Sequence, residues 1–251
     1  MSEEAAYKEI NEHLHSYGYN LIYSFNDEYC TKALFEHLGK GAYMKFWKQV
    51  NQYASKNDLS TVEKYIRTLI GKDTKHLKIL LSGQIAISVA ILQQVMDNLD
   101  NALGNSKELS ILELGGYDGW ASDYLNKKLN IPSNIDVVDR ESKVKSKNEN
   151  VRLIEDDYNS YRSESKYDVV FSILGAPAED LSDLINCITS NIKDNGIAYL
   201  GLRIQPEDYV TFVAHFSSHK LFQLTETVST VSVNMSHGWE TLPVFSLQYR
   251  K

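Results

Sequence analysis

Cysteine is scarce in this chain, with two among 251 residues. Cys30 and Cys187 lie far apart and no Cys-x-x-Cys occurs, which argues against a disulfide framework and a cysteine zinc site. No metal is expected. Proline is scarce too. The four prolines stand at 132, 177, 206 and 243, so the first 105 residues hold none that would interrupt a helix. Long apolar runs are missing. The longest, around Ile85–Leu92, is far below the roughly 20 residues that span a bilayer. Positive charge does not prevail either. The 26 Lys and Arg against 33 Asp and Glu leave a net charge of −7, which argues against a general nucleic-acid binder. Lys143, Lys145 and Lys147 alternate with other residues in one short stretch that reads as a solvated loop. The opening residues, Met-Ser-Glu-Glu-Ala-Ala-Tyr, have no basic segment followed by an apolar one. A secretory signal is therefore not expected, and a cytoplasmic location is.

What is present divides the chain in two. At 43% hydrophobic, 251 residues can build one large domain with an appendage. Residues 1–105 carry apolar and aromatic side chains at helical spacings. The spacing predicts a helix over Leu77–Leu103, where Ile79, Leu80, Ile87, Ile91 and Val95 share a face and Gly104-Asn-Ser106 ends the run. Tyr17, Tyr19, Tyr23, Phe25, Tyr29, Phe35, Tyr43, Phe46 and Trp47 crowd this half. They read as a tyrosine-rich helical core, or as a cap whose aromatic faces help form a substrate pocket.

From residue 106 onward, short apolar runs alternate with helical segments. The runs are Ser110–Leu114, Ile135–Val138, Val151–Ile154, Asp168–Ile173 and Gly196–Leu202. Helices are predicted after the first, at Leu181–Ile192 and at Asp208–His219. Such alternation implies a parallel sheet covered by helices. Leu221–Val233 and Val244–Tyr249 then read as two strands joined without a helix, and such strands pair antiparallel.

Residues 111–119 carry the strongest functional signal: Ile-Leu-Glu-Leu-Gly-Gly-Tyr-Asp-Gly. An apolar strand breaks into a glycine-rich turn that feeds a helix beginning at Trp120. Glycine permits the tight bend and a close approach of backbone to ligand. The helix start offers unpaired N–H groups. A nicotinamide fingerprint, Gly-x-Gly-x-x-Gly, does not fit. From Gly115 it would need glycines where Tyr117 and Trp120 stand, and from Gly116 it meets Asp118 and Ala121.

The stretch resembles the first motif of the class I S-adenosylmethionine-dependent methyltransferases, acid-x-Gly-x-Gly-x-Gly. Glu113, Gly115 and Gly119 match, and Tyr117 replaces the central glycine. The variant is similar to that of some small-molecule, sugar-type O-methyltransferases, with an aromatic and an acid before the last glycine. The resemblance covers residues 109–249. It implies a Rossmann-like, seven-stranded, mostly parallel sheet with an antiparallel last strand and helices on both faces. A helical layer, 1–105, would precede the methyltransferase domain, 106–251. The resemblance implies S-adenosylmethionine as cofactor, held by Glu113, Gly115, Gly116, Tyr117 and Gly119 at the turn. Asp139 at the end of the second strand would take the ribose hydroxyls, with Arg140 beside it. Asp156 or Asp157, after the third strand, would meet the adenine.

The expected reaction moves a methyl group to a hydroxyl of a small polar acceptor, a sugar being one candidate. A protein or peptide acceptor, or a non-catalytic binding domain, are the alternatives. A hydroxyl acceptor calls for a base, most often His near neutral pH. His237, in Asn234-Met-Ser-His-Gly-Trp239, ranks first and His215 second. A small-molecule acceptor is the expected partner, with neither nucleic acid nor membrane; self-assembly is left open.

Overall fold

The computed structural model describes residues 3–54, 74–102, 107–140, 147–175, 181–201, 213–214, 222–224, 229–235 and 238–249. Two compact units result: 1–86 with 234–239, and 87–233 with 240–251.

The first unit is helical. Its elements are α1 (Glu3–Ser16), α2 (Ile22–Phe25), α3 (Asp27–Ala54) and α4 (Thr74–Ser82). Gly39, at φ 73°, kinks α3. Tyr17, Tyr19 and Phe46 are buried, whereas Tyr29 and Phe35 stay exposed. The single helix predicted over Leu77–Leu103 is two helices, α4 and α5 (Ile85–Ala102). A continuous helix would bond the Ala86 N–H to the Ser82 carbonyl. Here the buried Ser24 hydroxyl stands between those groups. It donates to the Ser82 carbonyl and accepts the Ala86 N–H at 3.1 Å. Gly83 and Gln84 form the tight turn between the helices, donating three residues back to Leu80 and Leu81.

The second unit is built on a sheet. Five strands run parallel: β1 (Leu109–Leu114), β2 (Ser133–Asp139), β3 (Val151–Glu155), β4 (Tyr167–Ile173) and β5 (Ile192–Gly201). Two helices follow their strands, α6 (Trp120–Lys128) after β1 and α7 (Leu181–Asn191) after β4. Three more strands follow, β6 (Phe222–Leu224), β7 (Ser229–Met235) and β8 (Gly238–Tyr249). The order is β3-β2-β1-β4-β5-β8-β6, with β7 paired to β8, and β8 runs antiparallel to both β5 and β6. The seven-strand expectation is thus corrected to eight strands among the described residues. The apolar run predicted as one strand, Leu221–Val233, supplies two separate described strands, β6 and β7.

Central strands bury both faces, which explains their near-continuous apolar sequence. In β1 every residue but Ser110 is buried; in the edge strand β3 only Val151 is. One face of the sheet packs on α7: Leu112, Leu114, Val138, Val170 and Leu200 share a core with Leu184, Ile185 and Ile188. α6 packs on β2 and β3. A β-carbon on Gly119 would touch Leu153, Val137 and Val151, whose side chains alternate with those facing α7. Helices therefore cover both faces. The five parallel strands β1 to β5 point their carboxyl ends the same way, and open α/β sheets bind ligands beyond that edge.

Candidate cofactor site

The site begins where β1 stops. Gly115 takes φ 73°, its N–H bonds the Val138 carbonyl at 2.8 Å, and the chain turns away from the sheet. Tyr117 follows with φ 49° and Gly119 with φ 73°. Three residues of five in the left-handed region make a tight loop, and two of them are glycine, which bears that conformation without strain. The loop closes on itself through Gly119 N–H to the Gly116 carbonyl, 2.9 Å, and α6 starts at once.

Two glycines are fixed by crowding. A β-carbon at Gly116 would lie 2.5 Å from the Glu113 carboxyl carbon and from Val137. One at Gly115 would lie 2.6 Å from the Gly175 backbone, beyond the end of β4. The ends of β1 and β4 therefore touch without any side chain between them. Leu174, at φ 57°, turns the chain there and donates its N–H to the Gly201 carbonyl at 2.9 Å.

Glu113 lies beneath the turn rather than on its open side. It is 2% exposed and accepts the Ser122 hydroxyl at 2.5 Å. Burial pushes its carboxyl up to about 7, the Ser122 bond opposing this and the Asp139 charge adding to it. It braces the first turn of α6 against β1. Asp118 is buried as well, with an oxygen 3.4 Å from the Trp120 N–H at the helix start.

Asp139 closes the other side of the turn. It ends β2, is partly buried, and accepts the Tyr117 N–H at 2.9 Å. The strand-end acid and the glycine turn, 22 residues apart in sequence, are thus joined directly. The Asp139 carbonyl accepts the Asp156 N–H at 3.2 Å, which ties in the turn after β3. Asp156 bends its carboxylate back to the Asp157 N–H at 2.7 Å. Asp157 accepts the Asn159 N–H at 3.0 Å and faces the Arg140 guanidinium at 3.9 Å, with both side chains partly exposed. An exposed pair at that distance contributes little to stability. Its carboxylate and guanidinium stay accessible to a ligand.

Of the residues expected from sequence, Gly115, Gly116, Tyr117, Gly119, Asp139, Arg140, Asp156 and Asp157 gather at the carboxyl ends of β1, β2 and β3. Glu113 supports them from below. His237 and His215 lie outside the described residues. Ser122 and Gly175 were not anticipated. Ser122 carried a faint signal, a hydroxyl in the first turn of the helix after the glycines. Gly175 carried none, since its contact depends on two strands distant in sequence. Among the described residues no three His, Cys, Asp or Glu side chains gather to hold a metal, and no helix is long and apolar enough to cross a membrane.

No protein-family model matches this chain, and no curated protein matches it. Solved structures do. A Streptococcus thermophilus protein, provisionally described as a hemolysin, aligns at TM-score 0.50 and 11% identity over 64% of this chain and 66% of that one. A Burkholderia thailandensis 1,6-didemethyltoxoflavin-N1-methyltransferase with bound S-adenosylhomocysteine aligns at 0.49 and 13% over 80% and 90%. The Synechocystis magnesium protoporphyrin IX methyltransferase with bound S-adenosylmethionine aligns at 0.48 and 15% over 68% and 83%. S-adenosylmethionine-dependent methyltransferases recur among these neighbours. At such identities the likeness is one of fold. This chain has a Rossmann-like α/β fold, with five parallel strands and helices on both faces.

Proposed function

We propose that this chain is an S-adenosylmethionine-dependent methyltransferase acting on a hydroxyl of a small polar acceptor. The observation that carries the reading is the joining of Asp139 to the Gly115–Gly119 turn through the Tyr117 N–H. A strand-end carboxylate beside a glycine-rich strand-to-helix turn is what a nucleoside needs. The carboxylate accepts ribose hydroxyls, and the bare turn admits the rest of the ligand. The glycines at 115 and 116 are fixed by packing, since side chains there would collide with Gly175 and Glu113, and they leave the turn's backbone bare at those two positions.

Asp139 would hold the ribose. Asp157 would accept from the adenine amino group, with Arg140 beside it and Asp156 second in line. When bound, S-adenosylmethionine supplies an electrophilic methyl on its sulfonium. The protein's own part is to orient both reactants and take the proton of the acceptor hydroxyl. His237 is assigned that proton, with His215 as the substitute.

Titration calorimetry and turnover assays on two variants test this. A charge-assisted hydrogen bond contributes roughly 1.5–3 kcal/mol. Asp139→Ala should therefore weaken S-adenosylmethionine binding by about one to two orders of magnitude. His237→Ala should leave that affinity alone and slow turnover by about two to four orders of magnitude. No binding by the wild type, or equal binding by Asp139→Ala, refutes the cofactor assignment. Full turnover by His237→Ala removes it from catalysis.

A further inference from the structure

A cavity opens at the opposite edge of the sheet from the Gly115 turn, among the amino-terminal ends of β1 to β4. Its volume is about 540 Å³, within the range of small-molecule sites. It exists because no helix joins β3 to β4. The connection is the short segment 156–166, which bends over the sheet as turns and leaves a hollow beside it.

The walls of that hollow are held firmly. Asn191, fully buried at the end of α7, accepts the Ser163 N–H at 2.8 Å and donates to the Tyr161 carbonyl at 3.1 Å. Arg152 grips Asp136 with two bonds, at 2.8 and 2.6 Å. The Tyr167 hydroxyl adds a third bond to Asp136, at 2.6 Å, and lies 3.1 Å from the Tyr161 hydroxyl. Asp136 is thereby neutralised and its hydrogen-bonding capacity largely taken.

The remaining capacity is cationic. Arg162 donates only to the Asn159 and Tyr161 carbonyls, at 3.2 and 2.6 Å, so its guanidinium meets no carboxylate among the described residues. Lys166 makes no ion pair among them either. One acid on this rim, Glu164, also makes no ion pair among the described residues; it is exposed like Arg162 and Lys166, so two cations stand against one acid. Ile154 and the Tyr161 ring supply an apolar surface between the charges.

We propose that this hollow is a second ligand site, taking a small organic anion. Its phosphate or carboxylate meets Arg162 and Lys166, and its apolar body rests on Ile154 and Tyr161. A guanidinium fork suits either anion. The site lies across the sheet from the Gly115 turn and does not depend on the methyltransferase reading.

Phenyl phosphate is the probe, with benzyl alcohol as its uncharged counterpart, titrated against the full chain by calorimetry. The wild type should bind phenyl phosphate saturably and at least tenfold more tightly than benzyl alcohol, with affinity falling as salt rises. Arg162→Ala/Lys166→Ala should weaken the phosphate at least tenfold. Both side chains are exposed, and an unchanged thermal midpoint should show the fold intact. Asp139→Ala should bind the phosphate like the wild type, whatever it does to S-adenosylmethionine, so either reading can fail alone. Equal affinity for the two probes, no saturable binding, an unaffected double variant, or loss of the phosphate in Asp139→Ala each overturns the proposal.

Discussion

Glu113 shows how one residue couples the site to stability. Its carboxyl is buried under the glycine turn and pushed up to about 7 from an ordinary 4.5. The folded chain therefore holds a proton that the unfolded chain has released between about pH 4.5 and 7. Its contribution to stability is fully present below pH 4.5 and is lost as pH rises through 7. At 1.36 kcal/mol per unit the loss is on the order of 3 kcal/mol. Urea unfolding of the wild type should show it as a lower midpoint at pH 8 than at pH 5. In Glu113→Gln, which cannot ionise, that part of the difference should vanish. An equal pH dependence in the two proteins contradicts the assignment. Gly115 is as constrained. The sequence expects glycine there for the tight bend and for the close approach of backbone to ligand. The structure shows a backbone collision with Gly175 as well, so a substitution must also strain the fold. At this scale Asp139 was legible, because an acid at a strand end has a meaning on its own. Ser122 and Gly175 were not, because each acts on a partner that only the fold brings near.

Among the elements, the connection 156–166 depends on one buried side chain. Asn191 satisfies the Ser163 N–H and the Tyr161 carbonyl, and also donates to the Cys187 carbonyl at 2.8 Å. Leaving a buried polar group without its partner costs roughly 1–3 kcal/mol. Asn191→Ala should lower unfolding free energy by about that amount and expose the connection to hydrogen exchange. A loss below about 0.5 kcal/mol would mean that other contacts hold it. The strands β1 to β5 were legible because apolar runs of that length bounded by polar residues are distinctive. The break between α4 and α5 was hidden. The apolar spacing continues through Gly83, and what interrupts the helix is the Ser24 hydroxyl, about 60 residues earlier in the chain. The start of β5 was shifted too, from the expected Gly196 to Ile192. Asn195, at φ 63°, lies in an irregular stretch where the β4–β5 register slips between Tyr167 and Val169.

At the scale of the molecule, no family model matches, yet the alternation of strand and helix was readable. A fold is specified by where apolar residues fall and what they bury, and tolerates wide change in which residues do so. Function does not follow from fold; here it rests on the residues around the Gly115 turn. The eighth strand was missed because the run predicted as one strand after Lys220 contributes two. The acceptor's identity was illegible because Leu174-Gly175-Ala176, just after β4, offer no charged or metal-binding side chain that would name one. A crystal structure with S-adenosylhomocysteine is the decisive measurement. The ribose should lie on Asp139, the adenine near Asp157 and the sulfur beyond the Gly115 and Gly175 backbones. A nucleoside bound elsewhere on the sheet, or a turn that excludes it, would contradict the assignment.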